Sequence, residues 1–461
     1  MFGESLLEEV GKELNKFPHE FFDVYVEDRS DMTLSIGDGK LEKPSMGSVF
    51  GAGIRLIHNG ITYFGVVDDP SLDDLISMAN TLGNRLGNNS HPSNTTFLTM
   101  KMQGTLKGTS WSKWNKLDEA ETYLRAIDEY ARGKNPQVIQ VSARITQTIS
   151  KVEMLNSLGN YAEEERPRAH ISCSIYSTDG ENTEVGYSVN GKLGGLELLE
   201  ETSAEKTALD AVAMSISKLK AIVPASGEYP VILAPGPGGV IFHEAVGHSL
   251  EADFIRKHVS VMEDKIGQVI GNSKVTLIDS GIIPGEWGSN AFDDEGFPNQ
   301  ETILVKDGVL ISYMSDYTEH LIGNFPHSSN GRRENYGCIP YPRMRNTYIE
   351  PGHDQYEDML SSIEKGILVN MLGGGQVDQA TGDFIFDVID AWLIENGKIT
   401  FPLKEVSMIG NGLTTLKDIV GVSSKEDLKI SAGLCGKENQ LIPVGCGEPY
   451  VMISKIFVGG D

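Results

Sequence analysis

Apolar residues recur at helical spacing over residues 6–17 and again over 71–82, while the stretch between them, 22–67, alternates and is interrupted at Gly37-Asp38-Gly39 and Asn59-Gly60. This pattern predicts two helices flanking strands joined by tight turns, a small α/β unit. Residues 87–111 are rich in Asn, Ser, Thr and Gly and read as a linker or long loop. A helix is expected over 117–131. Beyond it, Ile139, Val141, Ala143 and Ile145 alternate with polar neighbours, and the same period returns at 152–156, 169–175 and 185–189. An antiparallel meander turning at Gly159-Asn160 and Asp179-Gly180 accounts for this, with a helix over 204–222 closing the region.

After Pro224-Ala225-Ser226-Gly227 the pattern changes again. A strand-like run at 229–233 leads into Pro235-Gly236-Pro237-Gly238-Gly239, then an expected helix in which Phe242, Val246, Leu250 and Phe254 recur every four positions. Hairpins follow, with clear turns at Asp307-Gly308 and Asn396-Gly397. The expected fold class is α+β. Three domains are expected: an N-terminal α/β unit over 1–111, a middle antiparallel sheet with helices over 112–223, and a C-terminal β-rich domain over 224–461 that carries a metal-binding helix. The 51 glycines are spread among apolar strands, as a turn-rich β architecture requires.

With 461 residues the chain exceeds one ordinary domain and can bury sizeable cores. Its acidic start and the lack of a long apolar run predict a cytoplasmic protein without a membrane span. Four cysteines without a compact framework suit a reducing compartment. The net charge of −26, from 39 Lys+Arg against 65 Asp+Glu, repels phosphate backbones and argues against direct nucleic-acid binding.

The candidate chemistry lies in His243-Glu244-Ala245-Val246-Gly247-His248. Two neutral imidazoles bind Zn²⁺ well, and a carboxylate beside the first can act as a base instead of a ligand. The spacing is unusual. Histidines four apart on a regular helix lie roughly 40° from one another, whereas a separation of five residues puts them about 140° apart. A single-turn π-bulge restores convergence, and a locally widened helix is therefore expected around Ala245 to His248, with Gly247 the natural point of departure from α geometry.

A catalytic zinc normally has three protein ligands and one open position. Cys173, in an alternating strand, reads as a small hydrophobe. Cys338 could be core or site, and Cys435 and Cys446 are both glycine-flanked, which lets backbone come close to an ion. Spacing alone does not choose among them. Glu251 is the carboxylate alternative, although its place one turn beyond His248 better suits a hydrogen bond to an imidazole.

The run from His243 to Phe254 resembles the signature of the TldD branch of the TldD/PmbA family, sometimes labelled modulators of DNA gyrase. The likeness continues through Asp293-Asp294-Glu295-Gly296, Gly331-Arg332-Arg333-Glu334, Pro342-Arg343-Met344-Arg345-Asn346-Thr347, Gly373-Gly374-Gly375-Gln376-Val377 and Cys435-Gly436-Lys437, in the family's order. It covers about the C-terminal half. What the resemblance implies is a zinc metallopeptidase with His243, His248 and Cys435 as metal ligands and Glu244 as general base. Unfolded or short polypeptides would be the substrates, and the working unit a homodimer or a heterodimer with a PmbA-like paralogue. Two readings compete: a protein-binding module in which zinc is a structural clasp, for instance with Cys446 as a fourth ligand, and a regulator acting on a topoisomerase through protein contacts.

Weaker signals remain. Arg332 and Arg333, with Arg343 and Arg345, read either as structural ion pairs or as capture of a substrate carboxylate. Gly374 could let a peptide backbone approach, although a glycine run is more often a bend between strands. His320, His327 and His353 read as surface or satisfied histidines. Asp293, Asp294 and Glu295 read as an acidic turn, with a second metal site as the alternative.

Overall fold

The fold follows from how the N-terminal strands find partners. A computed structural model describes residues 1–86, 100–104 and 114–460. Helix Glu4–Leu14 buries Leu7, Val10 and Leu14, and helix Leu72–Asn84 starts at Ser71, whose hydroxyl and the Asp74 carboxylate satisfy each other's backbone N–H groups. Both pack on strands Phe21–Gly37, Ser45–His58 and Ile61–Asp68 through Val24, Val26, Ile54 and Leu56. Asp38 and Gly39, like Asn59 and Gly60, take positive φ, so each pair forms the tight turn read from the sequence.

Strand Val138–Asn156 pairs antiparallel along Phe21–Gly37, from Asp23 opposite Asn156 to Gly37 opposite Ser142. The first two regions therefore share one sheet. It continues antiparallel through Asn160–Thr178 to Thr183–Leu193. Helices Leu117–Lys134 and Ala204–Lys218 cover it, burying Leu124, Ile127, Ala208 and Ala211 against Val141, Ile145 and Ile171. Where a loop was expected over 87–111, Met100–Gly104 is a strand, paired in parallel with residues 160–164. An open sheet edge supplies hydrogen-bond partners that composition does not reveal. Residues 87–99 and 105–113 lie outside the described residues.

The C-terminal region builds two sheets around the largest core. In the seven-stranded sheet, strand Gly227–Leu233 sits between Lys365–Val377 and Val451–Gly460, and Val231, Ile232 and Leu233 are all fully buried. That explains their unbroken apolar run. The six-stranded sheet ends in the hairpin of Lys429–Lys437 and Gln440–Glu448. Ile241, Phe242, Ala245, Val246 and Leu250, from the segment after the Gly/Pro turn, belong to the core that these strands enclose. Gly373 to Gly375 do not bend between strands. They lie inside strand Lys365–Val377, where its register with Asp383–Glu395 shifts between Leu372 and Gly375. The whole is an α+β fold, and no helix among the described residues is long and apolar enough to cross a membrane.

Candidate metal centre

The expected single helix is broken into short pieces. Gly236, at φ 102°, leads into a 3₁₀ turn over Pro237–Gly239, then α geometry over Val240–Phe242, a π turn over His243–Gly247 and a 3₁₀ turn over His248–Leu250. The His248 N–H donates to the His243 carbonyl, a five-residue step that stacks the two histidines on one side. Their ring centroids are 5.1 Å apart, with planes at 87°. The widened turn begins two residues earlier than expected. Gly247 also plays a different part: its backbone is ordinary right-handed helix, φ −58° and ψ −50°, but a Cβ there would sit 2.1 Å from the Met344 sulfur. Space, not conformation, requires glycine.

Cys435 comes to these imidazoles from the hairpin, opposite Ile442. Its sulfur lies 3.3 Å from His248 Nε2, and one donor atom each from His243, His248 and Cys435 fall within 4.8 Å of one another. Among the described residues, neither ring nitrogen of His243 has a hydrogen-bond partner, although the residue is 1 % exposed. Buried polar atoms are rarely left so. Two imidazoles and a thiolate suit Zn²⁺, so the donors fit the ion that the motif implies.

A second layer holds the donors in place. Glu251, fully buried, receives His248 Nδ1 at 3.0 Å, the contact expected of it. Lys437 lies two residues beyond Cys435 on the same strand face and places Nζ 3.0 Å from Glu251 and 2.7 Å from Asp253. Arg343, buried beneath the hairpin, donates to the Cys435 carbonyl at 2.6 Å. The motifs containing Lys437, Arg343 and Met344 stood out in the sequence, but these side-chain tasks did not, because each depends on a partner far along the chain.

Glu244 differs from its neighbours. Its side chain is 37 % exposed, and Oε2 lies 3.7 Å from the same His248 nitrogen that meets Cys435. Among these side chains the charges support one another. For His248, burial alone would disfavour the proton, but Glu251 and Cys435 outweigh it and raise the pKa to about 10. For Cys435, burial alone would disfavour the thiolate, but His243 and His248 outweigh it and bring the pKa down to about 4. His243 is likewise raised, against its burial, by the sulfurs of Cys446 and Cys435, which lie beside the ring outside hydrogen-bonding geometry. Cys446 is buried next to this cluster but is not one of the three converging donors.

The other candidates lie farther out. Arg332 and Arg333 line a cavity of about 610 Å³, to which Ala432, Gly433 and Leu434 of the Cys435 strand also contribute. Their terminal guanidinium nitrogens are engaged, Arg332 with the carbonyls of Met344 and Pro443 and Arg333 with Asp23 and the carbonyls of Asp294 and Cys338, while Arg333 Nε has no hydrogen-bond partner among the described residues. Gly374 is exposed on its bulged strand. Cys173 is 1 % exposed inside the first sheet, as expected. Cys338 is half-buried, with its sulfur 3.7 Å from Asn335.

A His/His/Cys cluster beside a solvent-reaching glutamate, on a β-rich α+β scaffold, offers a metal ion three donors with a base at its side. Residues 226–460 match the PmbA/TldA metallopeptidase C-terminal domain, 115–219 the central domain and 22–82 domain 1 of that family. The chain belongs to the PmbA/TldD metallopeptidase family. It is 34% identical over 452 residues to the metalloprotease TldD homolog of Haemophilus influenzae, covering 96% of this chain and 93% of that one. A metalloprotease of Methanothermobacter thermautotrophicus is 33% identical over 458 residues, with 96% of each chain covered. A zinc metalloprotease TldD homolog of Saccharolobus solfataricus is 34% identical over 248 residues, 53% of this chain and 54% of that one. The crystal structure of TldE from Thermococcus kodakarensis superposes with a TM-score of 0.78 at 19% identity, over 99% of this chain and 100% of that one, which shows the fold alone.

Proposed function

We propose that this metalloprotease hydrolyses peptide bonds in unfolded or short polypeptides, with one zinc ion held by His243, His248 and Cys435 and with Glu244 as general base. The convergence of three buried donors beside the one exposed carboxylate of the segment carries this reading. Zinc, when bound, supplies Lewis acidity at a carbonyl oxygen and eases deprotonation of water. Glu244 accepts the proton of the attacking water and returns it to the leaving amine. Glu251 fixes His248 through Nδ1, and Lys437 keeps Glu251 ionised. Arg343 holds the Cys435 carbonyl and so sets where the thiolate points.

Extended substrates suit a β-rich cleft, since pairing with a sheet edge binds backbone without regard to sequence. Arg332, Arg333 and Gly374 fit this scheme as parts of the cleft's shape, because the terminal guanidinium nitrogens are already engaged. Assembly as a homodimer or with a PmbA-like paralogue belongs to the same proposal, as does a cytoplasmic location. The test compares cleavage of an unstructured peptide with a folded control, for the parent protein and Glu244→Gln. Cleavage of the peptide alone, abolished in a variant that keeps its zinc, supports the reading; equal cutting of both substrates, or an active Glu244→Gln, overturns it. A structural zinc clasp is the second reading, favoured by the closeness of Cys446 to His243.

A further inference from the structure

The acidic run Asp293-Asp294-Glu295 is a turn, as its sequence suggests, but a buried one with unequal duties. Asp294 pairs with Arg166 at 2.5 Å and receives the Arg333 N–H at 2.9 Å, so it is fully engaged. Asp293 is not. Its Oδ1 accepts the backbone N–H groups of Glu295 and Phe297, at 3.1 and 2.9 Å, which fixes the plane of the carboxylate. Its Oδ2 has no hydrogen-bond partner among the described residues, although the side chain is 0% exposed. That oxygen faces Nε2 of His327 at 3.8 Å, and the imidazole nitrogen is also without a hydrogen-bond partner among the described residues. Glu295 completes the group, with Oε2 4.0 Å from the same nitrogen.

We propose that Asp293, Glu295 and His327 form a second metal site, distinct from the His243/His248/Cys435 cluster, that binds a divalent first-row transition ion such as Mn²⁺ or Zn²⁺. The three donor atoms lie within 4.8 Å of one another. An ion bonded at about 2.0–2.2 Å to imidazole nitrogen and carboxylate oxygen lies between atoms so spaced after a small inward movement. The donor set selects the class of ion: imidazole disfavours Ca²⁺ and Mg²⁺, which take oxygen ligands, and the absence of sulfur from the set removes the preference for the softest ions. His327 is 17% exposed, so one edge of the site meets solvent and leaves room for water ligands. Phe297, at 4.4 Å between ring centroids, packs on the imidazole and limits its rotation.

The position suggests what such an ion does. Glu295 Oε1 receives Arg55 at 2.6 Å, and Arg55 pairs with Asp23 at 2.5 Å; both belong to strands of the first sheet. An ion on the other oxygen of Glu295 fastens the 293–297 turn to that seam between the N-terminal sheet and the C-terminal region. The rival account is that Arg345, which acts on Asp293 electrostatically, swings over to neutralise it and no ion binds.

The test uses the full chain with the first site disabled by His243→Ala and Cys435→Ser, stripped of metal and titrated with Mn²⁺ or Zn²⁺. Binding is followed by calorimetry and, for Mn²⁺, by loss of the free-ion electron paramagnetic resonance signal. The expected result is one equivalent of either ion, at least tenfold weaker after Asp293→Asn or His327→Ala, with a melting temperature that rises on adding metal only while both residues are intact. In the otherwise unaltered protein, reconstituted with zinc, His327→Ala should lower the metal content from two equivalents to one, a readout that does not need the disabled background. No saturable binding of either ion to that background, or two equivalents retained after His327→Ala, overturns the proposal.

Discussion

Replacing Glu251 by Gln keeps the shape of the side chain and its ability to accept the His248 Nδ1 proton, and removes only the charge. In the parent protein burial works against that charge, but Lys437 and His248 outweigh it and hold the carboxyl at about 2, against an ordinary 4.5. At about 1.4 kcal/mol per pKa unit, this corresponds to roughly 3 kcal/mol of net favourable interaction with the ionised form. Glu251→Gln should therefore cost the metal-free protein on the order of 2–3 kcal/mol in urea unfolding at pH 7. It should also weaken zinc binding about 10–100-fold in competition with a chromophoric chelator. The depressed pKa sets the sign of the pH dependence: the carboxylate's contribution is full above the unfolded value and is lost as pH falls toward about 2. The gap between parent and variant should accordingly close on acidification below the unfolded carboxyl value. Zinc affinity within twofold of the parent, with an unchanged urea midpoint, would refute the role given to Glu251.

Three further outcomes are expected. Gly247→Ala should cost about 1–3 kcal/mol in urea unfolding, because its Cβ would overlap the Met344 sulfur, and Met344→Ala in the same chain should recover part of the loss. Apparent zinc affinity should rise with pH between about 6 and 9, since His248 holds its proton up to about 10 in the metal-free site and must release it to bind; a flat profile by isothermal titration would contradict this. Arg343→Lys loses the planar grip on the Cys435 carbonyl and should speed zinc release in stopped-flow chelation, while Arg332→Lys, bonded to carbonyls away from the ligands, should not.

The sequence was most legible where periodicity and local chemistry act together. The five-residue histidine spacing demanded a widened turn, and a π turn is present. The glycine within it was read as a backbone device because its crowding neighbour, Met344, lies 97 residues away, and local patterns carry no such information. Strand alternation told which faces were buried, but not that Phe21–Gly37 would take Val138–Asn156 as its neighbour, since period shows a face and not a partner. The same limit hid the true nature of the 293–295 turn. An acidic run is ordinarily solvated, yet Asp294 and Glu295 are buried with Arg166 and Arg55 reaching them from 128 and 240 residues away. His327, which reads as a surface or satisfied histidine, stands out only once Asp293 is seen beside it.

The account turns on how many atoms of this chain grip the zinc, and X-ray absorption at the zinc edge of the His327→Ala protein, loaded with one equivalent so that only the His243/His248/Cys435 site is filled, measures that directly. The expected spectrum has one sulfur at about 2.3 Å and two imidazole nitrogens at about 2.0–2.1 Å, with a light oxygen scatterer completing the shell. Two sulfurs, showing that Cys446 closes the site, or none, showing that Cys435 is not a ligand, would contradict it.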